Sequence, residues 1–110
     1  MNYRSKPLDK QLIRDVLEYD DNTGNLIWKE TVSFRAKKGC IAGTLDSQGY
    51  RHIGIRGRTI MAGRVVWFLV YGEDITDKVF HYKNRDLSDN RVENLELVSR
   101  KQLAERRIYK

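Results

Sequence analysis

Between Ala62 and Tyr71 the sequence reads AGRVVWFLVY, apolar almost all round, with one arginine inside it. No other stretch can bury so much surface, so the fold has to be assembled around this segment. Gly72 directly behind it is placed to cap a helix in the left-handed conformation. A buried helix is the expected state; the valines leave a strand as the competing assignment, because periodicity alone does not separate the two. The purely apolar part, Val65 to Tyr71, is far below the ~20 residues that a membrane-spanning helix requires. The opening MNYRSKPLDK has no apolar run of signal-peptide length. No membrane role is expected, and 110 residues are enough for one domain with one modest core.

The flanking patterns are shorter. Leu8, Leu12, Ile13, Val16 and Leu17 recur at helical spacing between Pro7 and Tyr19, giving an amphipathic helix that the cluster DDNTG ends. Asn25 to Lys29 follows the turn Asn22-Thr23-Gly24 as a strand. A basic loop from Ser33 to Gly43 carries Arg35, Lys37 and Lys38. Tyr50 to Ile55 alternates, Arg56-Gly57-Arg58 turns, and Thr59 to Met61 returns, a hairpin with Ile53 and Ile55 facing the core and His52 facing solvent. After Tyr71 come a strand ending at His81, a polar loop from Lys83 to Asn90, a turn at Glu93-Asn94, a strand Glu96 to Val98, and a helix from Arg100 capped by Ser99. The order of that second half is β, loop, β, α.

Charge narrows the partners. The chain has 21 Lys and Arg against 15 Asp and Glu, a net +6, which favours a polyanion or an acidic protein. From Arg35 to Arg64 seven basic residues face one acidic residue, and from Arg100 to Lys110 five face one; Glu73 to Glu96 is acidic, with seven acids and four bases. The hairpin arginines Arg51, Arg56 and Arg58 suit phosphate contact, with a basic edge strand protected against aggregation as the competing reading. The single Cys40 can form neither an internal disulfide nor a cysteine zinc cluster, so a reducing cytosol is the default compartment. It reads as a small buried or half-buried residue.

The segment FHYKNRDLSDNRVENLELVS, with its histidine, polar loop, Asp-Asn-Arg and Asn-Leu before a strand, resembles the HNH endonuclease superfamily, in its small phage and homing-endonuclease-like branch. The resemblance extends upstream through MAGRVVWFLVYG, GTLDSQGYRHIGIRGR and YDDNTGNLIWK, covering about Leu17 to Ser99. It implies a ββα-metal site in which His81 holds the general-base position, Asn94 pins the loop and orients the base, and Asn90 braces the loop. One divalent ion would stabilise the leaving 3′ oxygen during phosphodiester cleavage. The ligand positions implied by the resemblance are the residue before the histidine and the ninth residue after the turn asparagine; here they are Phe80 and Leu103. Neither side chain offers the oxygen that a hard cation takes. Asp86 and Asp89, in the loop after His81, are the carboxylates that could substitute. A third departure is Gly63-Arg64, where the family usually reads His-Arg.

The fold class expected is therefore α+β, a single domain over 1–110: an N-terminal helix, small antiparallel sheet and buried helix over 1–72, then a degenerate ββα-metal, HNH-like module over 73–110. The function expected is double-stranded DNA binding by a protein of phage or mobile-element type, descended from an HNH nuclease and without ordinary cleavage, acting in the cytoplasm of an infected or host bacterial cell. Its DNA contacts are assigned to Arg35, Lys37, Lys38, Arg51, Arg56, Arg58, Arg64, Lys101, Arg106 and Arg107. No cofactor is expected. An active, divergent nicking endonuclease using His81, with magnesium or manganese, is the alternative, and a protein that binds and inhibits a host protein is a third.

Overall fold

The apolar run forms a helix, α2 (Ala62–Tyr71), whose Ala62, Val65, Val66 and Phe68 are all but sealed from solvent. Gly72 ends it at φ 75, its N–H donating to the Phe68 carbonyl, a conformation that glycine adopts without a Cβ penalty. The structure is a computed structural model and describes residues 6–108, with side chains to 105. Around α2 are arranged α1 (Lys10–Val16), β1 (Leu17–Tyr19), β2 (Leu26–Trp28), β3 (Thr44–Leu45), β4 (Arg51–Ile55) and β5 (Arg58–Met61). Behind it come β6 (Val79–Tyr82), a single 3-10 turn (Val92–Asn94), β7 (Leu95–Val98) and α3 (Arg100–Ile108). This is an α+β architecture of small antiparallel sheets, β1-β2, β3-β4-β5 and β6-β7.

The first helix is shorter than its periodicity predicts. Asp9 caps it, accepting from the Leu12 N–H at 3.2 Å, and it stops at Val16. Leu17 turns extended, φ −126 and ψ 143, because Leu17 to Tyr19 find ladder partners in Trp28 to Leu26. Both states bury Leu17, so the apolar pattern alone does not separate them. The strand β3, pairing Thr44 with His52 and Leu45 with Arg51, was not expected; both its residues are exposed, and its sequence shows no burial signal. Arg56 and Gly57 make the two-residue β4–β5 turn with φ 48 and 78, the double positive φ of a type I′ hairpin turn.

Cys40 is exposed rather than buried. Its segment runs beside the β2 edge, where the Cys40 carbonyl accepts from the Trp28 N–H and the Gly39 N–H donates to the Trp28 carbonyl. Ser99 and Gln102 cap α3 reciprocally, Ser99 Oγ accepting from the Gln102 N–H and Gln102 Oε1 from the Ser99 N–H, at 3.1 and 2.9 Å. Among the described residues no helix is long and apolar enough to cross a membrane.

Candidate functional site

The site is built on the β6–β7 hairpin, where Phe80 pairs with Leu97, His81 with Glu96 and Tyr82 with Leu95. Alternation along the strand sends Phe80 and Tyr82 to the face covered by α2 and His81 to the opposite face. The Phe80 ring lies 5.5 Å from the Trp67 ring, which in turn packs on Tyr71 at 4.5 Å. Tyr82 is buried edge-on to Tyr50 at 5.8 Å. Its hydroxyl donates to Asn90 Oδ1 at 3.0 Å. Burial pushes the Tyr82 phenol above its ordinary value.

Asn94 ties the ends of the loop between the strands. Its Oδ1 accepts from the Asn84 N–H and its Nδ2 donates to the Asp89 carbonyl, both at 2.9 Å. Its own carbonyl accepts from the Lys83 N–H. Asn90 sits fully inside, bridging Tyr82 and the Ser88 carbonyl. Asp89 forms a two-pronged ion pair with Arg91, at 2.9 and 2.8 Å, and accepts from Asn84 Nδ2 at 2.8 Å. The Arg91 guanidinium holds the Asp89 carboxyl down at about 2, well below the usual carboxylate range.

The N-terminal half holds this loop from outside. Tyr19 Oη accepts from the Val92 N–H at 2.8 Å. Gly24, at φ 78, lies so close that a Cβ would come within 2.3 Å of the Arg91 nitrogen. Both fall in the segment YDDNTGNLIWK that shares the family resemblance, but they act across more than sixty residues of chain, so the sequence assigns neither a role at the site.

The cations separate into two groups. Arg35, Lys37, Lys38, Arg56 and Lys101 are exposed. Arg64, assigned to DNA from sequence, is instead buried: its Nε meets Asp74 Oδ1 at 2.9 Å, and its other nitrogen reaches Asp74 and the Lys6 carbonyl. A lone arginine in an apolar helix demands an anion, and that is the signal that could have found Asp74. Arg58 donates to the Pro7 and Lys6 carbonyls and Arg51 to the Gly43 carbonyl, so both tie the fold together. The side chains of Arg106 and Arg107 lie outside the described residues. His52 faces outward on β4 and pairs with Asp46 at 2.7 Å; the histidine holds the Asp46 carboxyl below its ordinary value.

The donors present do not suit the divalent ion that the ββα-metal pattern implies. Phe80 and Leu103 offer no oxygen. Asp89 is engaged by Arg91 and Asn84, and Asp86 accepts from the Ser88 N–H and hydroxyl. Among the described residues no three His, Cys, Asp or Glu side chains are grouped so as to hold an ion.

Residues 61–105 match the family described as HNH endonuclease. Among solved structures, one titled "DNA binding and cleavage by the HNH homing endonuclease I-HmuI" is similar over 96% of this chain, with a TM-score of 0.65 and 19% identity. The chain spans 59% of that structure's chain. No curated protein matches.

Proposed function

We propose that this chain, whose residues 61–105 match the HNH endonuclease family, binds duplex DNA and does not cleave it by metal-dependent hydrolysis. The observation that carries the second part is Phe80, whose ring packs 5.5 Å from Trp67 directly before the histidine on β6. His81 could accept a proton from water, but phosphodiester hydrolysis also develops charge on the leaving oxygen. Meeting that charge takes a cation held by protein oxygens, and the ligand positions hold a phenyl ring and an isobutyl group.

Binding requires less than cleavage. The solved structure titled for DNA binding and cleavage by I-HmuI has the same fold, and the exposed Arg35, Lys37, Lys38, Arg56 and Lys101 supply cations for phosphates. The acidic character of Glu73 to Glu96 favours attraction to those flanking segments over the β6–β7 loop.

The test pairs a plasmid-nicking assay in magnesium or manganese with duplex retardation at low salt. Retardation without nicking is expected. Nicking lost in His81→Ala and in chelator would establish an active, divergent nuclease instead. A stoichiometric host protein retained after nuclease treatment, with no duplex retardation, would replace DNA by a protein partner.

A further inference from the structure

The geometry points to Phe34 as an apolar wedge that enters duplex DNA between base pairs, with Arg35, Lys37 and Lys38 on the adjacent phosphates. Phe34 is 79% exposed, more than any other large apolar side chain among the described residues, and Val32 beside it is 44% exposed. Among the described residues the ring is not part of the hydrophobic core, and the Arg35 guanidinium lies 5.7 Å from its centroid.

The segment that carries it is held in shape. Its base is closed on β2, where the Gly39 N–H donates to the Trp28 carbonyl at 2.8 Å and the Trp28 N–H to the Cys40 carbonyl at 3.0 Å. Further out, the Val32 N–H donates to the Ala36 carbonyl and the Ala36 N–H to the Ser33 carbonyl, closing a tight turn with Phe34 and Arg35 at its tip. Ala36 is buried and anchors the turn to the core. Lys38 is fixed by its N–H to Thr31 Oγ1 at 3.0 Å. A turn so anchored presents its tip without an ordering cost on binding. A phenyl ring followed by three cations has the composition of the wedges that unstack a base step while neighbouring cations hold the backbone.

This inference rests on the DNA-binding reading, and its test separates the two. Affinity for a duplex is measured by anisotropy over a salt series. Helix unwinding is measured as the change in linking number of closed plasmid relaxed by a metal-independent topoisomerase in chelator. Wild-type protein should bind and unwind. Phe34→Ala should lose about 5- to 150-fold in affinity, the range for removing an aromatic stacked on a base, keep its salt slope because no charge is removed, and unwind no longer. Phe34→Leu should retain most of the unwinding, since leucine also serves as a wedge. Wild-type-like binding and unwinding by Phe34→Ala overturn the wedge and leave DNA binding standing; no duplex binding by the wild type overturns both. Phe34-dependent retention on phosphatidylserine vesicles, with DNA binding unaffected, would assign the ring to a membrane surface instead. Because Phe34 is 79% exposed, circular dichroism should show both variants folded.

Discussion

Gly63 and Tyr82 occupy one space, and the coupling between them can be measured. A Cβ at Gly63 would lie 2.8 Å from Tyr82 Oη, closer than real Cβ contacts come; the next neighbours are Asn90 Oδ1 at 3.4 Å and Tyr82 Cζ at 3.7 Å. The hydroxyl cannot easily withdraw, since Tyr82 is 3% exposed and its Oη donates to Asn90 at 3.0 Å. Overpacking of this kind costs about 1–3 kcal/mol. Alanine recovers at most ~1 kcal/mol over glycine in a helix, and less at the second residue of one. Gly63→Ala should therefore destabilise the wild type by about 1–2 kcal/mol. Removing the hydroxyl with Tyr82→Phe leaves Asn90 short of a partner and costs about 1–3 kcal/mol, but it also clears the space. In that background Gly63→Ala should be neutral or slightly stabilising. The coupling is then about 2 kcal/mol, well outside the ~0.5 kcal/mol within which independent substitutions add. Urea denaturation of the four proteins reads it directly, a difference of this size moving the midpoint by about 1 M. Additivity within that margin, or a stabilising Gly63→Ala in the wild type, would refute the packing argument.

Three further outcomes follow from the same loop and strand. Asn94→Ala should lower the stability by about 1–3 kcal/mol, because it strands the Asn84 N–H and the Asp89 carbonyl; His81→Ala should cost less, and equal denaturation midpoints would count against the bracing role of Asn94. Asp89 has its carboxyl depressed to about 2 in the folded chain, so its contribution is complete above the unfolded value of ~4 and is lost as pH falls through about 2. Asp89→Asn should remove that part of the acid sensitivity in a pH series of unfolding, and an unchanged acid limb would contradict it. Phe80→Asp with Leu103→Asn should create divalent-ion affinity measurable by calorimetry, and no gain would mean that the ligand positions lie elsewhere.

The elements were largely legible because each depends on nearby residues. Gly72 ends α2, the Ser99–Gln102 box starts α3, and Arg56-Gly57 turns the hairpin; these are local rules acting on local sequence. Failures came where a distant partner decides. Leu17 is helical by spacing and extended in fact because Trp28 pairs with it. Arg64 looks like a surface cation until Asp74, ten residues on and past the end of the helix, folds back to meet it. The loop asparagines Asn90 and Asn94 could be picked out by spacing within one hairpin, whereas Tyr19 and Gly24, which hold the same loop from the other half of the chain, could not.

The departures at positions 63 and 80 belong to one seam of the fold. Gly63 and Trp67 stand one turn apart on α2, and they face Tyr82 and Phe80, two residues apart on β6. The resemblance implies an imidazole at position 63 and a carboxylate at position 80; here the same seam carries a glycine under a phenol and a phenyl ring on an indole. On the proposed reading, position 80 trades a carboxylate for apolar packing on Trp67, and position 63 leaves room for the Tyr82 hydroxyl, which Asn90 satisfies. Active sites tend to be kept at a cost in stability, and a chain released from catalysis can recover some of it by packing such a seam. On the proposed reading, restoring Phe80→Asp should therefore work against the fold, placing a carboxylate on the Trp67 ring. The repaired double variant should be less stable without a divalent ion and regain stability with it, by the amount that its ion affinity dictates.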